Sequence, residues 1–311
     1  MDYDEVLDRA SGLLNDAEAL ARELVQPKAP LEGSSLRMLS QLRSRIGTGT
    51  WSDADVKFPT EAARGLLAIQ SAQLHGLREF LTGGSPLLLH PTVTLIRGAA
   101  EAGGLLLWLV EPWVNYSDSQ DETNVLEWCA ISQTVLTRSQ VLWLDELANR
   151  RRRHEAQHGE VQTADQEAVD QFKQRLTDQH GPENVALVGG RKKWMIGGEK
   201  LPDISDRVAA ITELSYGATF RGAGMNPYPM YAGYAHSSLE ALFSNAGASS
   251  VPAMSSLLAA STHEAFMLTS LAQRLFAVMY ELAAHALGAP MATFLAWEER
   301  SEAFVQEAFS E

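Results

Sequence analysis

The sequence predicts an all-α protein, a single helical bundle of about 8–10 helices with at most one short β-hairpin near 185–197. Three observations lead to this class. Every long segment has helical periodicity, the 12 prolines and 23 glycines cluster in a few places, and no long stretch alternates as a strand would. Hydrophobic residues make up 45% of the 311, which is enough for a sizeable core, and we expect one domain, 1–311.

The helices are placed by apolar spacing and by residues that start or end a helix. Along 2–25, apolar residues such as Val6 and Leu13 lie on one side, and Pro27 ends the pattern. Pro59 fits the first turn of a later helix. Counted in order, helices are predicted at about 2–25, 36–46, 59–82, 90–110, 120–157, 163–179, 203–216, 229–245, 252–287 and 291–309.

Residues 180–202 interrupt this helical pattern. They are rich in glycine and lysine and have no helical period, which predicts either a mobile loop or a short docked hairpin. The organisation expected is therefore N-terminal helices, central long helices, an irregular loop and C-terminal helices, at 1–84, 90–179, 180–202 and 203–311.

The net charge of −14 and the pI of about 5.0 disfavour nonspecific binding to nucleic acid. A local exception is Arg150–Arg153, which is either a solvated helix end or a patch that contacts phosphates. The single cysteine, Cys129, excludes an intramolecular disulfide and a four-cysteine zinc site. With no signal-peptide pattern and no uninterrupted membrane span, we expect a cytoplasmic protein that does not bind a membrane.

The most informative segment is TLIRGAAEAGGLLLWLVEP, residues 94–112. It is apolar or small almost throughout, yet it contains Arg97 and Glu101, which share one face of a helix. Charges buried in a helix of this kind are costly unless they are paired. The segment therefore contains either a structural ion pair or the floor of a polar site, and it predicts that Arg97 contacts a carboxylate.

Candidate functional residues come from three segments. Histidine, arginine and acidic side chains recur at helical spacing in two apolar helices, and tyrosines precede a histidine in YAGYAHSS. Such a set forms either a buried network that fixes helix register or a cleft in which arginine holds an anion and histidine moves a proton. The candidates are Arg97, Glu101 and His236 for catalysis, and His90, Tyr231, Tyr234, Arg274, Glu281 and His285 for binding.

Residues 94–112, together with YAGYAHSSLEAL at 231–242, resemble a signature of uncharacterised helical proteins common in actinobacteria. That group looks like the HEPN-like helical superfamily, many of whose members are metal-independent ribonucleases of toxin and defence systems. The resemblance implies a helical fold, with RNA as a partner. In ribonuclease members an arginine precedes the histidine by four to six residues on one helix, whereas the nearest arginine before His236 is Arg221.

Two functions are therefore expected as alternatives. In a ribonuclease, Arg97 would neutralise a phosphate, His236 would transfer a proton and Glu101 would orient one of them. In a non-catalytic module that binds a ligand or a protein partner, the polar residues would hold the core or line a pocket. A homo-oligomer is compatible with either function. No cofactor and no metal site is expected, since no ligand spacing singles out His90, Glu101, Glu281 or His285.

Overall fold

The computed structural model describes residues 2–26, 34–46, 51–83, 89–118, 125–189, 193–216 and 261–308. Within them the chain forms nine α-helices and one small antiparallel sheet, which confirms the all-α class and the hairpin near 185–197. The helices are α1 Tyr3–Val25, α2 Ser35–Leu42, α3 Asp53–Thr82, α4 Leu89–Asp118, α5 Val125–His158, α6 Thr163–His180, α7 Ile204–Tyr216, α8 Thr262–Leu287 and α9 Ala292–Ala308, and the strands are β1 Val185–Val188, β2 Lys193–Ile196 and β3 Glu199–Lys200.

Two helix ends predicted beside prolines, the start at Pro59 and the end at about residue 110 before Pro112, are wrong. Helix α3 begins at Asp53 rather than at Pro59, because Ser52 and Asp55 satisfy each other's backbone N–H groups at distances of 3.2 and 2.9 Å. Helix α4 continues through Pro112, where the side chain of Trp113 is buried and donates to Ser132 Oγ at 3.0 Å. At Pro112, tertiary packing outweighs the backbone hydrogen bond that the proline removes.

The segment predicted as a loop or a hairpin contains the hairpin. Val185 pairs with Ile196, and both are buried where the sheet packs on α5 and α6. Arg138 of α5 also holds β3, because its Nε donates to Glu199 Oε2 at 2.9 Å. The helix predicted at 229–245 lies outside the described residues.

The contacts of the chain fall into two compact units. The first comprises Met1–Leu31, Ala63–Trp108 and Ile204–Glu311, and the second comprises Glu32–Ala62 and Leu109–Asp203. No unit is a single stretch of sequence. The expectation of one domain stays a prediction.

The core of the first unit is built on α8 and α9, which pack as an antiparallel pair. Aromatic rings and polar side chains match along the two helices in reverse order, as antiparallel packing requires. The pairs are Tyr280 with Phe294, Phe276 with Trp297, Gln273 with Ser301, and Phe266 with Phe304. Helix α1 closes the unit, since Trp297 Nε1 donates to the carbonyl oxygen of Leu13 at 2.9 Å.

Helix α4 also approaches α7 very closely within this unit. A Cβ atom placed on Gly104 would lie 2.5 Å from the carbonyl oxygen of Arg207, which is shorter than a real contact of this kind. On the neighbouring Gly103 it would lie 3.1 Å from a side-chain atom of Ile211. The glycine pair in the apolar segment is therefore a packing site where two helix backbones meet.

The second unit contains a buried polar network around Asp55, which is 5% exposed. Its carboxylate accepts hydrogen bonds from Ser52 Oγ at 2.6 Å, Arg175 Nη2 at 2.8 Å and Gln140 Nε2 at 3.2 Å. Gln140 in turn accepts from His180 Nε2 at 2.8 Å. Burial lowers the pKa of His180, against an opposing effect of the Asp55 charge, so the imidazole is neutral at pH 7.

One helical stretch, Pro91–Tyr116, is long and apolar enough to cross a membrane by length and composition. Of its most apolar 18-residue window, 61% is buried inside the protein, a pattern that core helices also have. No other stretch of the described residues is as long and apolar.

Candidate functional site

Arg97 and Glu101 form the contact that the sequence predicts. Arg97 Nε donates to Glu101 Oε1 at 2.7 Å, one turn along α4. The pair is partly buried rather than enclosed, because the two side chains keep 16% and 33% of their surface exposed. The ion pair should therefore contribute about as much to the free energy of unfolding as a pair on a helix surface, and less than a buried pair.

We expect Arg97→Ala to cost about 1 kcal/mol, because water can reach the carboxylate that remains. Arg78→Ala is the matched comparison, since Arg78 Nε donates at 2.7 Å to Glu18, whose side chain is only 6% exposed. That variant should cost about 2 kcal/mol, because Glu18 loses a charge-assisted hydrogen bond but keeps His75 Nδ1 at 3.1 Å and Arg22 Nη2 at 4.0 Å. Urea unfolding of both variants measures the difference. A larger loss for Arg97→Ala would contradict the partly exposed position of its pair.

Three of the other candidate residues lie outside the described part of the chain. They are His236, Tyr231 and Tyr234, so the proposed catalytic combination of Arg97, Glu101 and His236 stays a prediction. His90 lies in the first turn of α4.

The run of four arginines at the end of α5 is engaged within its own unit. Each guanidinium has a described partner at 2.5–3.2 Å. The pairs are Arg150 with Asp165, Arg151 with Gln166, Arg152 with Asn149, and Arg153 with Glu146. Of these four, only Arg150 and Arg153 pair with carboxylates, and both stay 45–59% exposed, which fits the interpretation as a solvated helix end.

Two candidates, Arg274 and Glu281, line a cleft in the first unit. The cleft has a volume of about 200 Å³ and lies between α8, α9 and the end of α7. His285, one turn beyond Glu281, is not among its lining residues. The lining residues are Leu214 and Ser215 of α7, Arg274, Ala277, Val278 and Glu281 of α8, and Trp297, Glu298, Ser301, Glu302 and Val305 of α9.

The spacing along each helix explains why these side chains meet. Residues 274, 277, 278 and 281 form one stripe of α8, and 298, 301, 302 and 305 form the facing stripe of α9. The contacts between α8 and α9 given above show which residues of the two helices lie at the same level. Arg274 lies at the level of Ser301, between Glu298 and Glu302, and Glu281 lies two turns further along α8.

Two carboxyl groups of the cleft are destabilised in their charged form by the neighbouring negative charge and by partial burial. Partial burial, and then the charge of Glu298, raise the pKa of Glu281 above the ordinary glutamate value. Partial burial, and then the charge of Glu302, raise the pKa of Glu298. The cleft therefore places like charges together in a concave surface that water still reaches.

We expect Glu298→Gln to raise the melting temperature at pH 7.5 by about 1–2 °C. A carboxyl whose folded pKa is raised stabilises the protein below its unfolded pKa, and this contribution is lost as the pH rises through the folded pKa. The gain should therefore be almost lost near pH 4, where the carboxyl is mostly protonated in both states. Glu299→Gln, on the exposed side of α9, is the control. A gain that persists at pH 4 would contradict the electrostatic cause.

No protein-family model matches the sequence, and no curated protein and no solved structure is significantly similar to it. Among the described residues, no group of three or more histidine, cysteine, aspartate or glutamate side chains is placed to hold a metal ion. The chemistry of the cleft itself is therefore the basis for assigning a function.

Proposed function

We propose that the protein is a non-catalytic, ligand-binding helical module, and that the cleft between α8 and α9 is its binding site. The observation that carries the proposal is a concave site of about 200 Å³ lined by a guanidinium, three carboxyl groups and an apolar wall. Two of the residues singled out in the sequence, Arg274 and Glu281, belong to it.

The electrostatics of the cleft support the same proposal. Side chains that only stabilise a fold are normally paired so that their pKa values favour the charged form. Glu281 and Glu298 have pKa values raised by burial and by a like charge, which costs stability at neutral pH. Groups with perturbed pKa values in a cleft are typical of functional sites.

The proposal is tested by saturation-transfer NMR with a set of metabolites that comprises amines, amino acids, nucleosides and carboxylic acids. The test variant is Ala277→Trp, which fills the cleft from the middle of its α8 wall. Ala296→Trp is the matched control, because Ala296 is exposed on α9 and does not line the cleft.

At least one class of metabolite should bind the wild type and Ala296→Trp and fail to bind Ala277→Trp. Binding that survives in Ala277→Trp would place the ligand elsewhere and overturn the proposal. So would the absence of binding by every class.

Ribonuclease activity through Arg97, Glu101 and His236 stays a prediction. Incubation of total RNA with the wild type and with His236→Ala tests it directly. Faster decay with the wild type would favour the enzyme, and equal decay would leave the ligand-binding function.

A further inference from the structure

Two histidines lie one turn apart at the C-terminal end of α5. His154 and His158 occupy i, i+4 positions, so their side chains share one face of the helix. The centroids of the two rings are 6.3 Å apart, and the ring planes meet at 70°. The side chain of His154 is 41% exposed and His158 is also exposed, so a dissolved ion can reach both rings.

A buried carboxylate fixes the orientation of the first ring. His154 Nδ1 lies 2.6 Å from Asp165 Oδ2, and the side chain of Asp165 is only 10% exposed. Because an ionised carboxylate can only accept a hydrogen bond, Nδ1 carries the proton of the neutral ring. The lone pair of Nε2 is then available to a metal ion. Histidines that ligate metals in proteins commonly donate their other N–H to a carboxylate in this way.

The separation of the two rings is close to what one shared ion requires. Zinc lies about 2.0–2.1 Å from an imidazole nitrogen, which places it about 3.2 Å from the ring centroid. Two rings bound at a tetrahedral angle therefore have centroids about 5 Å apart. The distance in the zinc-free protein is about 1 Å longer, and a rotation of the exposed His158 side chain can close this gap.

The charges around the pair favour a metal that imidazole binds through its lone pair. Arg150 Nε lies 3.2 Å from Asp165 Oδ1, which balances one positive charge, whereas Arg151 donates to an uncharged side chain and keeps its own. On the other side, Glu155 is exposed three residues before His158, and the last turn of α5 contributes the negative end of the helix dipole. Magnesium, which prefers oxygen ligands, gains little here.

We propose that His154 and His158 bind one Zn²⁺ ion, and that Asp165 positions the ring of His154 for this purpose. The two imidazoles supply two ligands and water completes the coordination. An open site of this kind agrees with the lack of a group of three or more ligating side chains among the described residues. The site belongs to the second unit, so it is independent of ligand binding by the cleft in the first.

The test is calorimetric titration of the full-length protein with zinc chloride, and with magnesium chloride for comparison. The test variants are His154→Ala, His158→Ala and Asp165→Ala. His75→Ala is the matched control, because His75 is 54% exposed and its Nδ1 lies 3.1 Å from a carboxylate oxygen of Glu18, but no histidine is three or four residues from it. Far-UV circular dichroism checks that each variant stays helical.

The wild type and His75→Ala should bind zinc with equal affinity and should not respond to magnesium. Each of the two variants that lack a histidine of the pair should bind about tenfold more weakly or worse, and Asp165→Ala about tenfold more weakly. Unchanged zinc binding by His154→Ala or His158→Ala would place the ion elsewhere and overturn the proposal. So would an equal response to magnesium, or no zinc binding by the wild type.

The role of Asp165 has a separate readout in the zinc-free protein. Imidazole ¹⁵N NMR should show the Nδ1–H tautomer of His154 in the wild type, and this tautomer should be lost in Asp165→Ala. If the tautomer and the zinc affinity are the same in Asp165→Ala as in the wild type, Asp165 does not position the ring.

Discussion

Gly104→Ala should destabilise the protein by about 2–4 kcal/mol, a large loss for the addition of one methyl group. The new Cβ would lie 2.5 Å from the carbonyl oxygen of Arg207 and 2.7 Å from its carbonyl carbon. These are backbone atoms within α7, so no side-chain rotation relieves the overlap. Either α4 and α7 move apart, or the hydrogen bonding of α7 is distorted.

Gly65→Ala is the matched control, because it makes the same change in the middle of α3. A Cβ on Gly65 has nothing within 4 Å outside its own helix. Alanine should therefore stabilise the protein by about 0.5–1 kcal/mol, by restricting the unfolded chain. Thermal unfolding of both variants should show a lower melting temperature for Gly104→Ala and a higher one for Gly65→Ala. A neutral Gly104→Ala would show that the backbones of α4 and α7 are not in contact.

Asp55→Ala should cost about 3 kcal/mol, because it removes the acceptor at the centre of the polar network of the second unit. The amide of Gln140, which is 2% exposed, and the guanidinium of Arg175 would each lose a hydrogen bond. The first turn of α3 would lose half of its capping box with Ser52.

Asp53→Ala separates these effects from the general benefit of an acid near a helix N-terminus. Asp53 lies in the same turn of α3, but its side chain is 73% exposed and pairs with Arg43 at the surface. We expect a loss below about 1 kcal/mol. If the two substitutions cost the same in urea unfolding, the buried network contributes little and the helix dipole accounts for both.

Much of the fold was predictable because helical periodicity depends on burial, which the sequence records directly. The helices α1, α6 and α7 begin and end within one or two residues of the predicted positions. The errors at Pro59 and Pro112 have different causes. Before Pro59, the local pair Ser52 and Asp55 starts the helix six residues early. At Pro112 the compensation is tertiary, because the proline costs one hydrogen bond locally and the packing that offsets it comes from residues far away in the sequence, such as Ser132.

The candidate site was predictable only in part. Arg274 and Glu281 stand out because charges are rare in an apolar helix. Their counterparts Glu298 and Glu302 lie in WEERSE, which reads as the solvated face of an amphipathic helix. Only the antiparallel pairing of α8 with α9 turns that face toward the cleft.

Sequence reasoning also located the buried charges in the wrong place. Glu18 and Asp55 are only 4% and 5% exposed, whereas Glu101 keeps a third of its side chain in contact with water. Their helices are polar enough for both carboxylates to pass as surface residues. Glu18 and Asp55 are buried by helices that are distant in the sequence, and the spacing of residues within one helix does not predict such contacts.

The pairing of Trp297 with the carbonyl of Leu13 joins residues 284 positions apart, and this separation matters during synthesis. A ribosome adds about 5–20 residues per second, so the apolar face of α1 waits roughly 15–60 s for the helix that covers it. During that interval Val6, Ala10, Leu13 and Leu14 have no permanent cover from α8 or α9. Until α8 and α9 are synthesised, this part of the apolar face of α1 is therefore exposed on the nascent chain, where it can associate with other apolar surfaces.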